Sequence, residues 1–476
     1  MPEQRVVIGF DSSTQSTKAI AVDLDTGAVL GVGRAPHTVS PGAGRESDPE
    51  QWWAALGQAA AGTGWADRAA AVSIAGQQHG LVTLDAAGAP VRPALLWNDV
   101  RSAPQAAESR DAIGAEELAR RTGSVPTAAF TAPKWAWLRA HEPAAADRVA
   151  AVRLPHDFLT ERLTGAGVTD RGDASGTGWW GPDGYDRGLL ARIALDPALL
   201  PEVLPPGAQA GTVRPGTPLR EGAPVATGTG DNMAAALGLG LLPGQPVLSL
   251  GTSGTVYAVS RIRPADPSGT VAGFADALGG WLPLACTLNC TQAVDRIAAL
   301  LGRGREEVEE GGTAVVLPYL DGERTPDLPG ASGLIHGLRH DTTPGQLLQA
   351  AYDGAAHALL AALDEVLRAA GADPAGDEPL LLIGGGARGH AWQRTVLRLS
   401  GRAVQVPEAE ELVALGAAAQ AAALLTGEPA DAVARRWRTT RGPVLDPVKR
   451  DEDALALIGD TLRRAGSLQG APARDR

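Results

Sequence analysis

The chain has 476 residues, of which 44% are hydrophobic and 20% are charged, and its formal net charge is -12. This length suffices for two or three ordered globular domains, and the acidic balance argues against a surface for nucleic acid or anionic membranes. The first residues form only a short apolar run that stops at Asp11. Such a run is typical of neither a signal peptide nor a membrane span, so we expect a cytoplasmic protein.

A polar turn between two apolar segments opens the chain. Residues 6–10 and 19–23 each predict a buried strand, and the turn between them runs from Asp11 through Thr14 to Lys18. Backbone N–H and hydroxyl groups in such a turn can bind phosphate, and Asp11 can hold Mg²⁺ through water. The same pattern also fits an ordinary polar hairpin.

Polar side chains follow two further predicted strands. Residues 71–76 predict a strand that ends in glycine, and Gln78 and His79 come directly after it. Asn98 follows a second short apolar run. These side chains could hydrogen-bond a polyol in a cleft, although a single histidine such as His79 often has a structural role.

The middle of the chain places an acid at a predicted helix start. Residues 224–226 predict a strand, residues 228–230 a glycine turn, and a helix begins near Asp231 and Asn232. A carboxylate at this position could act as a general base at the edge of a cleft. Alternatively, Asp231 could serve only as the helix N-cap.

The second half repeats this plan. Residues 247–260 predict a strand, a turn with Gly251 and Thr252, and a second strand, which echoes residues 6–23. Residues 381–386 echo residues 72–77 more weakly. We therefore predict two duplicated domains that face each other across a central cleft, residues 1–242 and 243–476, each with one phosphate hairpin.

Several other features of the second half can be predicted. Residues 343–366 predict a long amphipathic helix. The glycine turn at 384–386 could accept a flat base such as adenine, and the Ala-rich residues 413–424 predict a packed helix behind this turn. Cys286 and Cys290 lack further ligands for zinc, so we expect reduced thiols. Residues after Gly466 predict a frayed tail.

Taken together and in this order, these motifs resemble those of the FGGY carbohydrate kinases, over about residues 5 to 430. The resemblance is greatest to the members that act on D-xylulose. The motifs that carry it are Asp11 with Thr14 and Lys18, residues 74–80, 97–99, 130–134, 230–232, 250–254, 318–326 and 384–388, and a second signature from Gly333 to Asp353. Ser13 stands where the family commonly has Gly, and Gln78 stands where bacterial members usually have Met, which leaves the exact sugar open.

The resemblance implies an α/β fold of two actin-like ATPase domains of the ribonuclease H-like type. It implies an ATP- and Mg²⁺-dependent kinase that converts D-xylulose to D-xylulose 5-phosphate, with a small-molecule sugar as its partner and neither nucleic acid nor membrane. A homodimer is one expectation for the assembly. The resemblance implies that Asp231 is the catalytic base and that Asp11 contacts Mg²⁺ and the γ-phosphate. It implies phosphate binding by Thr14, Lys18, Gly251 and Thr252, and adenosine binding by Gly385, Gly386 and Ala387. It also implies sugar binding by Gln78 and His79, with Asn98, Asp231 and Asn232 at the rim of the pocket.

Other functions remain open at this stage. Ribulose, gluconate or a deoxy-ketose could replace D-xylulose within the same family, whereas glycerol is disfavoured because glycerol kinases resemble an Arg-Glu pair at the position of Gln78 and His79. An actin- or Hsp70-like ATPase would need neither the sugar dipeptide nor a base at Asp231. A sugar-responsive regulator would normally add a basic helix-turn-helix segment, which the sequence does not show.

Overall fold

The computed structural model describes residues 5–40 and 44–466, so the predicted frayed tail lies outside the described residues. The chain divides into two compact units. The first contains the residues up to Leu241 together with Arg263–Leu282 and Ala409–Thr440, and the second contains Leu242–Ile262, Pro283–Glu408 and the residues from Arg441 onwards. Each unit combines sheets with helices, so the α/β class predicted from the sequence is confirmed.

The units are not two continuous halves of the chain. The predicted boundary between residues 242 and 243 falls beside the first break, which follows Leu241. The chain then returns twice to the first unit, at Arg263–Leu282 and Ala409–Thr440. The division into residues 1–242 and 243–476 stays a prediction, and local sequence patterns do not encode these two long-range returns.

A seven-stranded sheet forms the centre of the first unit. Its order is Gln209–Thr212, Pro224–Ala226, Ala71–Gly76, Val6–Ser12, Ser16–Asp23 and Val29–Pro36, with the short strand Thr229–Gly230 also pairing with Ala71–Gly76. All residues of Val6–Ser12 and Ala71–Gly76 are buried, because the sheet is covered on both faces. Asp48 is the N-cap of the helix Pro49–Gly62, since its carboxylate accepts a hydrogen bond from the Glu50 N–H.

The Ala-rich helix Leu412–Thr426 covers one face of this sheet. It packs against Val6–Ser12, Ala71–Gly76 and the helix Asp231–Gly238. A Cβ atom on Gly9 would lie 2.0 Å from the Ala414 carbonyl oxygen, so only glycine lets the helix approach the strand this closely. We expected this helix behind the glycine turn at 384–386, and that placement was wrong: small residues allow it to pack in the first unit instead.

Further elements complete the first unit. Its other strands are Glu46–Ser47, Val82–Leu84, Ala94–Leu95, Ala151–Arg153, Val168–Asp170, Trp180–Gly181, Gly184–Tyr185, Glu202–Leu204 and Ala272–Ala275. Its other helices are Ala103–Ile113, Ala115–Thr122, Thr131–His141, Pro143–Ala146, Pro155–Thr164, Arg171–Ser175, Arg187–Arg192 and Ala430–Arg436, with 3₁₀ turns at Ala66–Arg68 and Pro197–Leu199.

The second unit is built around its own sheet. The strands lie in the order Trp281–Thr287, Gly254–Tyr257, Val247–Leu250, Leu380–Ile383, Val404–Gln405 and Val444–Leu445, and Val315–Leu317 pairs separately with Leu334–His336. The helices are Thr291–Leu300, Pro344–Ala369, His390–Ser400 and Glu452–Arg464. The long helix predicted over residues 343–366 is confirmed, with Thr343 as its N-cap. Neither Cys286 nor Cys290 forms a disulfide, as predicted.

Within the described ranges, no single helix has the length and apolar character needed to cross a membrane. The pair Leu412–Thr426 and Ala430–Arg436, bent by 107°, meets that test only when its two helices are taken together.

The contact between two helices of the first unit yields a stability prediction. A Cβ atom on Gly416 would lie 1.9 Å from the Ala234 carbonyl oxygen of the neighbouring helix. We expect Gly416→Ala to lower the free energy of unfolding by about 1–3 kcal/mol, the usual cost of overpacking. Chemical denaturation followed by circular dichroism measures this change.

Gly459 offers a matched control, because it also lies in a helix but a Cβ atom there would meet only the end of Arg463, at 3.6 Å. We expect Gly459→Ala to raise the free energy of unfolding by up to about 1 kcal/mol, because alanine favours a helix over glycine. Equal effects of the two substitutions would contradict the close helix contact.

Candidate functional site

Three parallel strands of the first unit end side by side. In the register of the sheet, Asp11 pairs with Ala75, and Ala75 pairs on its other side with Thr229. Ser12, Gly76 and Gly230 align one residue further on. The residues that follow the three strand ends therefore lie at one edge of the sheet, which is where open α/β sheets bind their ligands. Asp11, Gln78 and Asp231 all occur there.

Asp231 is the first residue of the helix Asp231–Gly238, and Gly230 occupies the N-cap position. The Asp231 carboxylate does not make the hydrogen bond of a capping residue. Its Oδ1 accepts instead from the backbone N–H of Asn232 at 2.8 Å and from the Asn232 side-chain amide at 2.9 Å. Burial raises the pKa of Asp231 to about 6, although the hydrogen bonds from Asn232 oppose this. The carboxylate can thus accept a proton near neutral pH.

Asp11 is a second buried carboxylate at this edge. Burial and the negative charge of Asp231 raise the pKa of Asp11 to about 7, against the opposing charge of Lys18. Carboxylate oxygens are the protein ligands that Mg²⁺ prefers, and Mg²⁺ usually takes only one or two of them together with phosphates and water. The residues present fit this mode, because Asp11 supplies a carboxyl group at the sheet edge, near that of Asp231.

Amide atoms of Gln77, Gln78 and Asn98 are buried without a hydrogen-bond partner in the protein. Gln78 accepts a hydrogen bond from Asn232 at 2.8 Å, but its own Nε2 donates to no protein group. Both side-chain polar atoms of Gln77 and the Oδ1 atom of Asn98 are likewise buried without a hydrogen-bond partner. Because leaving a buried polar group unpaired costs about 1–3 kcal/mol, these amides suit a ligand that carries hydroxyl groups.

His79 packs in a cluster with two aromatic rings, whose own centroids are 5.9 Å apart. Its imidazole stacks on Phe130, with ring centroids 5.0 Å apart, and lies 5.4 Å from Phe274. Its backbone has φ +65°, and its carbonyl accepts a hydrogen bond from Thr131. A Cβ atom on Gly176 would lie 2.4 Å from the imidazole, so this ring fits only against glycine. Phe274 was missed from the sequence, where no motif marks it.

A buried lysine fixes the loop that carries one of these rings. The Lys134 ammonium donates hydrogen bonds to the carbonyls of Ala128, Ala129 and Phe130. Burial lowers the pKa of Lys134 to about 7. Lys134 therefore stabilises the loop before the helix Thr131–His141.

The first hairpin keeps its polar groups close together. Its strands pair up to Ser12 and Thr17, and Trp97 donates a hydrogen bond to the Thr14 hydroxyl at 3.1 Å. The Lys18 ammonium lies 2.6 Å from the Glu411 carboxylate. Phosphate binding by Thr14 and Lys18 stays a prediction, and Lys18 has Glu411 as a partner that local sequence did not indicate.

The second unit contains the other predicted hairpin and the glycine turn. Leu250 pairs with Gly254 across the turn that holds Gly251 and Thr252. The neighbouring parallel strand Leu380–Ile383 runs into the glycine turn, and the Gly386 N–H donates to the Leu250 carbonyl at 2.9 Å. The two turns are therefore adjacent within this unit.

Gly384 has φ +84°, and a Cβ atom on Gly385 would meet no atom within 4 Å. The backbone at Gly385 thus leaves open space next to the turn, whereas a Cβ atom on Gly386 would lie 2.7 Å from Thr291. Adenosine binding at Gly385, Gly386 and Ala387 and phosphate binding at Gly251 and Thr252 stay predictions.

Comparisons with known proteins agree with this architecture. Residues 6–238 match the model of the N-terminal domain of the FGGY family of carbohydrate kinases, and residues 247–425 match that of the C-terminal domain. The chain is 70% identical to the xylulose kinase of Streptomyces coelicolor and 67% identical to that of Streptomyces rubiginosus, in each case over 98% of both chains. The crystal structure of xylulose kinase from Bifidobacterium adolescentis is 34% identical and superposes with a TM-score of 0.84, covering 96% of this chain and 99% of that one.

Because the carboxyl group of Asp11 is buried, we predict that removing its charge stabilises the folded protein. The pKa of Asp11 is about 7 in the folded protein and 3.8 is its ordinary value, so the folded state binds more protons than the unfolded state between these values. The free energy of unfolding should therefore rise as the pH falls from about 8 towards 4. At pH 8 we expect Asp11→Asn to unfold at a higher temperature than the wild type. Its free energy of unfolding should be larger by about a few kcal/mol, at about 1.4 kcal/mol per pKa unit.

Differential scanning calorimetry at pH 8 and pH 4.5 measures the effect, which should shrink at the lower pH. Glu108→Gln, an exposed acid on the helix Ala103–Ile113, removes the same formal charge and serves as the control. A melting temperature of Asp11→Asn at or below that of the wild type at pH 8 would contradict the destabilising role of this carboxylate.

Proposed function

Because this chain belongs to the FGGY family of carbohydrate kinases, which transfer phosphate from ATP to a sugar, we propose that it converts D-xylulose to D-xylulose 5-phosphate with Asp231 as the catalytic base. The observation that carries the choice of sugar is the 70% identity, over 98% of both chains, to a protein named xylulose kinase. The departure at Gln78 is compatible with this choice, since its Oε1 binds Asn232 and its Nε2 remains available to the sugar.

The chemistry of the site favours a neutral acceptor. The groups available to the sugar are the amides of Gln77, Gln78 and Asn98, next to the carboxylates of Asp11 and Asp231. An acceptor with its own carboxylate, such as gluconate, would be repelled by the two acids, because like charges in a buried site interact strongly. A ketose offers only hydroxyl and carbonyl groups, which amides can pair.

The reaction requires a deprotonated hydroxyl and a stabilised phosphoryl group. Asp231 would take the proton from the attacking sugar hydroxyl, and its raised pKa makes it a better acceptor than an exposed carboxylate. His79, held by Phe130 and Phe274, would orient the sugar. Mg²⁺, when bound with ATP, would relieve the charge of the transferring phosphate, and Asp11 would hold it.

The turns described above would serve the nucleotide. Thr14, Lys18, Gly251 and Thr252 would bind phosphates, whereas the open backbone at Gly385 would accept adenosine. We place the reaction in the cytoplasm because it consumes ATP. A homodimer stays a prediction.

The role of Asp231 can be tested by Asp231→Asn. The amide keeps the shape of the side chain but cannot accept the proton, so we expect kcat to fall by roughly 10² to 10⁴ while ATP still binds. A coupled assay for ADP release measures kcat, and nucleotide titration with calorimetry measures binding. Near-normal phosphorylation of D-xylulose by the folded variant would disprove this assignment.

The choice of sugar can be tested with a panel of D-xylulose, ribulose, gluconate and glycerol. We expect D-xylulose to have the highest kcat/KM, because a site with buried polar groups rejects analogues that leave them unpaired, by up to about 10⁴. His79→Ala should lower kcat/KM for D-xylulose by about 10- to 100-fold, since the imidazole would no longer hold the sugar. Equal rates of the wild type on all four compounds would remove the basis for a D-xylulose kinase.

A further inference from the structure

The turn that precedes Asp231 is held by a side chain far away in the sequence. Thr229 is fully buried, and its hydroxyl donates a hydrogen bond to Asp170 Oδ2 at 2.7 Å. Thr229 lies only two residues before Asp231, and between them Gly230 pairs with Gly76 in the sheet. The position of the Thr229 side chain therefore constrains the start of the helix that carries Asp231.

Asp170 is itself fixed by several contacts. Its carboxylate caps the helix Arg171–Ser175, with Oδ2 accepting from the Gly172 N–H at 2.8 Å and Oδ1 from the Asp173 N–H at 3.0 Å. A Cβ atom on Gly172 would lie 2.6 Å from Asp170 Oδ2 and 2.9 Å from the Thr229 hydroxyl. The absence of a side chain at Gly172 thus makes room for the hydrogen bond between Asp170 and Thr229.

A fully buried histidine supplies the counter-charge. His156 Nε2 lies 3.4 Å from Asp170 Oδ1, 3.4 Å from Asp173 Oδ2 and 3.2 Å from Asp157 Oδ1. Burial lowers the pKa of His156, but the three carboxylates overcome this and raise the pKa to about 9. The ring therefore faces the same carboxyl group that accepts the hydrogen bond from Thr229.

The same histidine also touches the turn. Gly228 has φ +79°, and a Cβ atom there would lie 2.3 Å from the Ile74 carbonyl oxygen and 3.1 Å from His156 Nδ1. His156 thus lies against the first glycine of the turn with one ring nitrogen and against Asp170 with the other. The turn before Asp231 is enclosed by the strand Ala71–Gly76 on one side and by this buried cluster on the other.

We propose that Asp170, with His156 as its counter-ion, is a positioning residue for phosphoryl transfer: its carboxylate holds the Thr229 hydroxyl and thereby fixes where the Asp231 carboxylate lies. This proposal rests on the proposed function, in which Asp231 is the base. It assigns a role in catalysis to three residues that contact neither sugar nor nucleotide.

The first test is Thr229→Val, which keeps the shape of the side chain and removes the donor. We expect kcat on D-xylulose to fall by about 10- to 100-fold, which corresponds to the usual contribution of a hydrogen bond to a charged group. KM for Mg-ATP should be unchanged. Thr229→Ser restores the hydroxyl and should recover most of the loss. Asp170→Asn should act in the same direction, and it replaces Thr229→Val in the test if that variant does not fold.

A second measurement separates positioning from a loss of general stability. If Thr229 acts through Asp231, adding Thr229→Val to Asp231→Asn should change kcat by no more than about 3-fold, because residues that act as one unit are not additive. Thr122→Val is the matched control, since Thr122 is also buried and donates to the Leu118 carbonyl of its own helix. It should lower the melting temperature without changing kcat.

The outcomes distinguish the two hypotheses. If Asp231→Asn is nearly as active as the wild type, the proposed function is wrong. If Asp231→Asn is inactive while Thr229→Val and Asp170→Asn both keep normal kcat, only the positioning role is overturned. Additive losses in the double variant would likewise overturn it.

Discussion

Burying a carboxylate costs free energy, and this protein buries Asp11 beside the partly buried Asp231, close enough for the charge of Asp231 to raise the pKa of Asp11. Their proximity follows from the register of one sheet, in which the strands before them flank the same central strand Ala71–Gly76. The rest of the site depends on this arrangement. It places two carboxyl groups with raised pKa values at one edge, in a low-dielectric environment where electrostatic interactions are strong.

Close backbone contacts keep the arrangement rigid. Gly9 allows the helix Leu412–Thr426 to lie directly on the strand that leads to Asp11, and Gly238 and Gly416 allow the same helix to contact the helix that begins at Asp231. One helix therefore fixes both acidic segments. At the other end of the turn, His156 packs against the carboxyl groups of Asp157, Asp170 and Asp173 in a buried polar cluster. Such buried pairs contribute little to stability, but they define a unique geometry when all partners are present.

Local patterns in the sequence predicted the parts of the site that are built locally. Asp11, Gln78 and Asp231 each follow an apolar strand directly, so the carboxyl ends of these strands could be recognised from a few neighbouring residues. The partner of Lys18 could not be predicted, because Glu411 is 393 residues away in the sequence. Phe274 and the hydrogen bond from Thr229 to Asp170 were missed for the same reason, as no short motif relates them to the acids.

The Ala-rich helix Leu412–Thr426 is another case in which the sequence did not predict a contact between distant segments. Its composition correctly predicted a buried helix over residues 413–424, because it is apolar on nearly all sides. However, a helix without a polar face gives no indication of which sheet it covers. The glycines on its partners, Gly9 and Gly238, specify the contact. Their role can be recognised only in the folded structure, where these segments lie against the helix.

The return of Ala409–Thr440 to the first unit has a consequence for the order in which the protein can assemble during synthesis. The helix that covers Val6–Ser12 and Ala71–Gly76 leaves the ribosome after the central strands of both sheets. Until then, one face of the first sheet, including Gly9 and Ala75, has no cover. The N-terminal part of the chain would therefore expose apolar surface during most of its translation. A fragment that ends at Leu241 would expose that surface permanently.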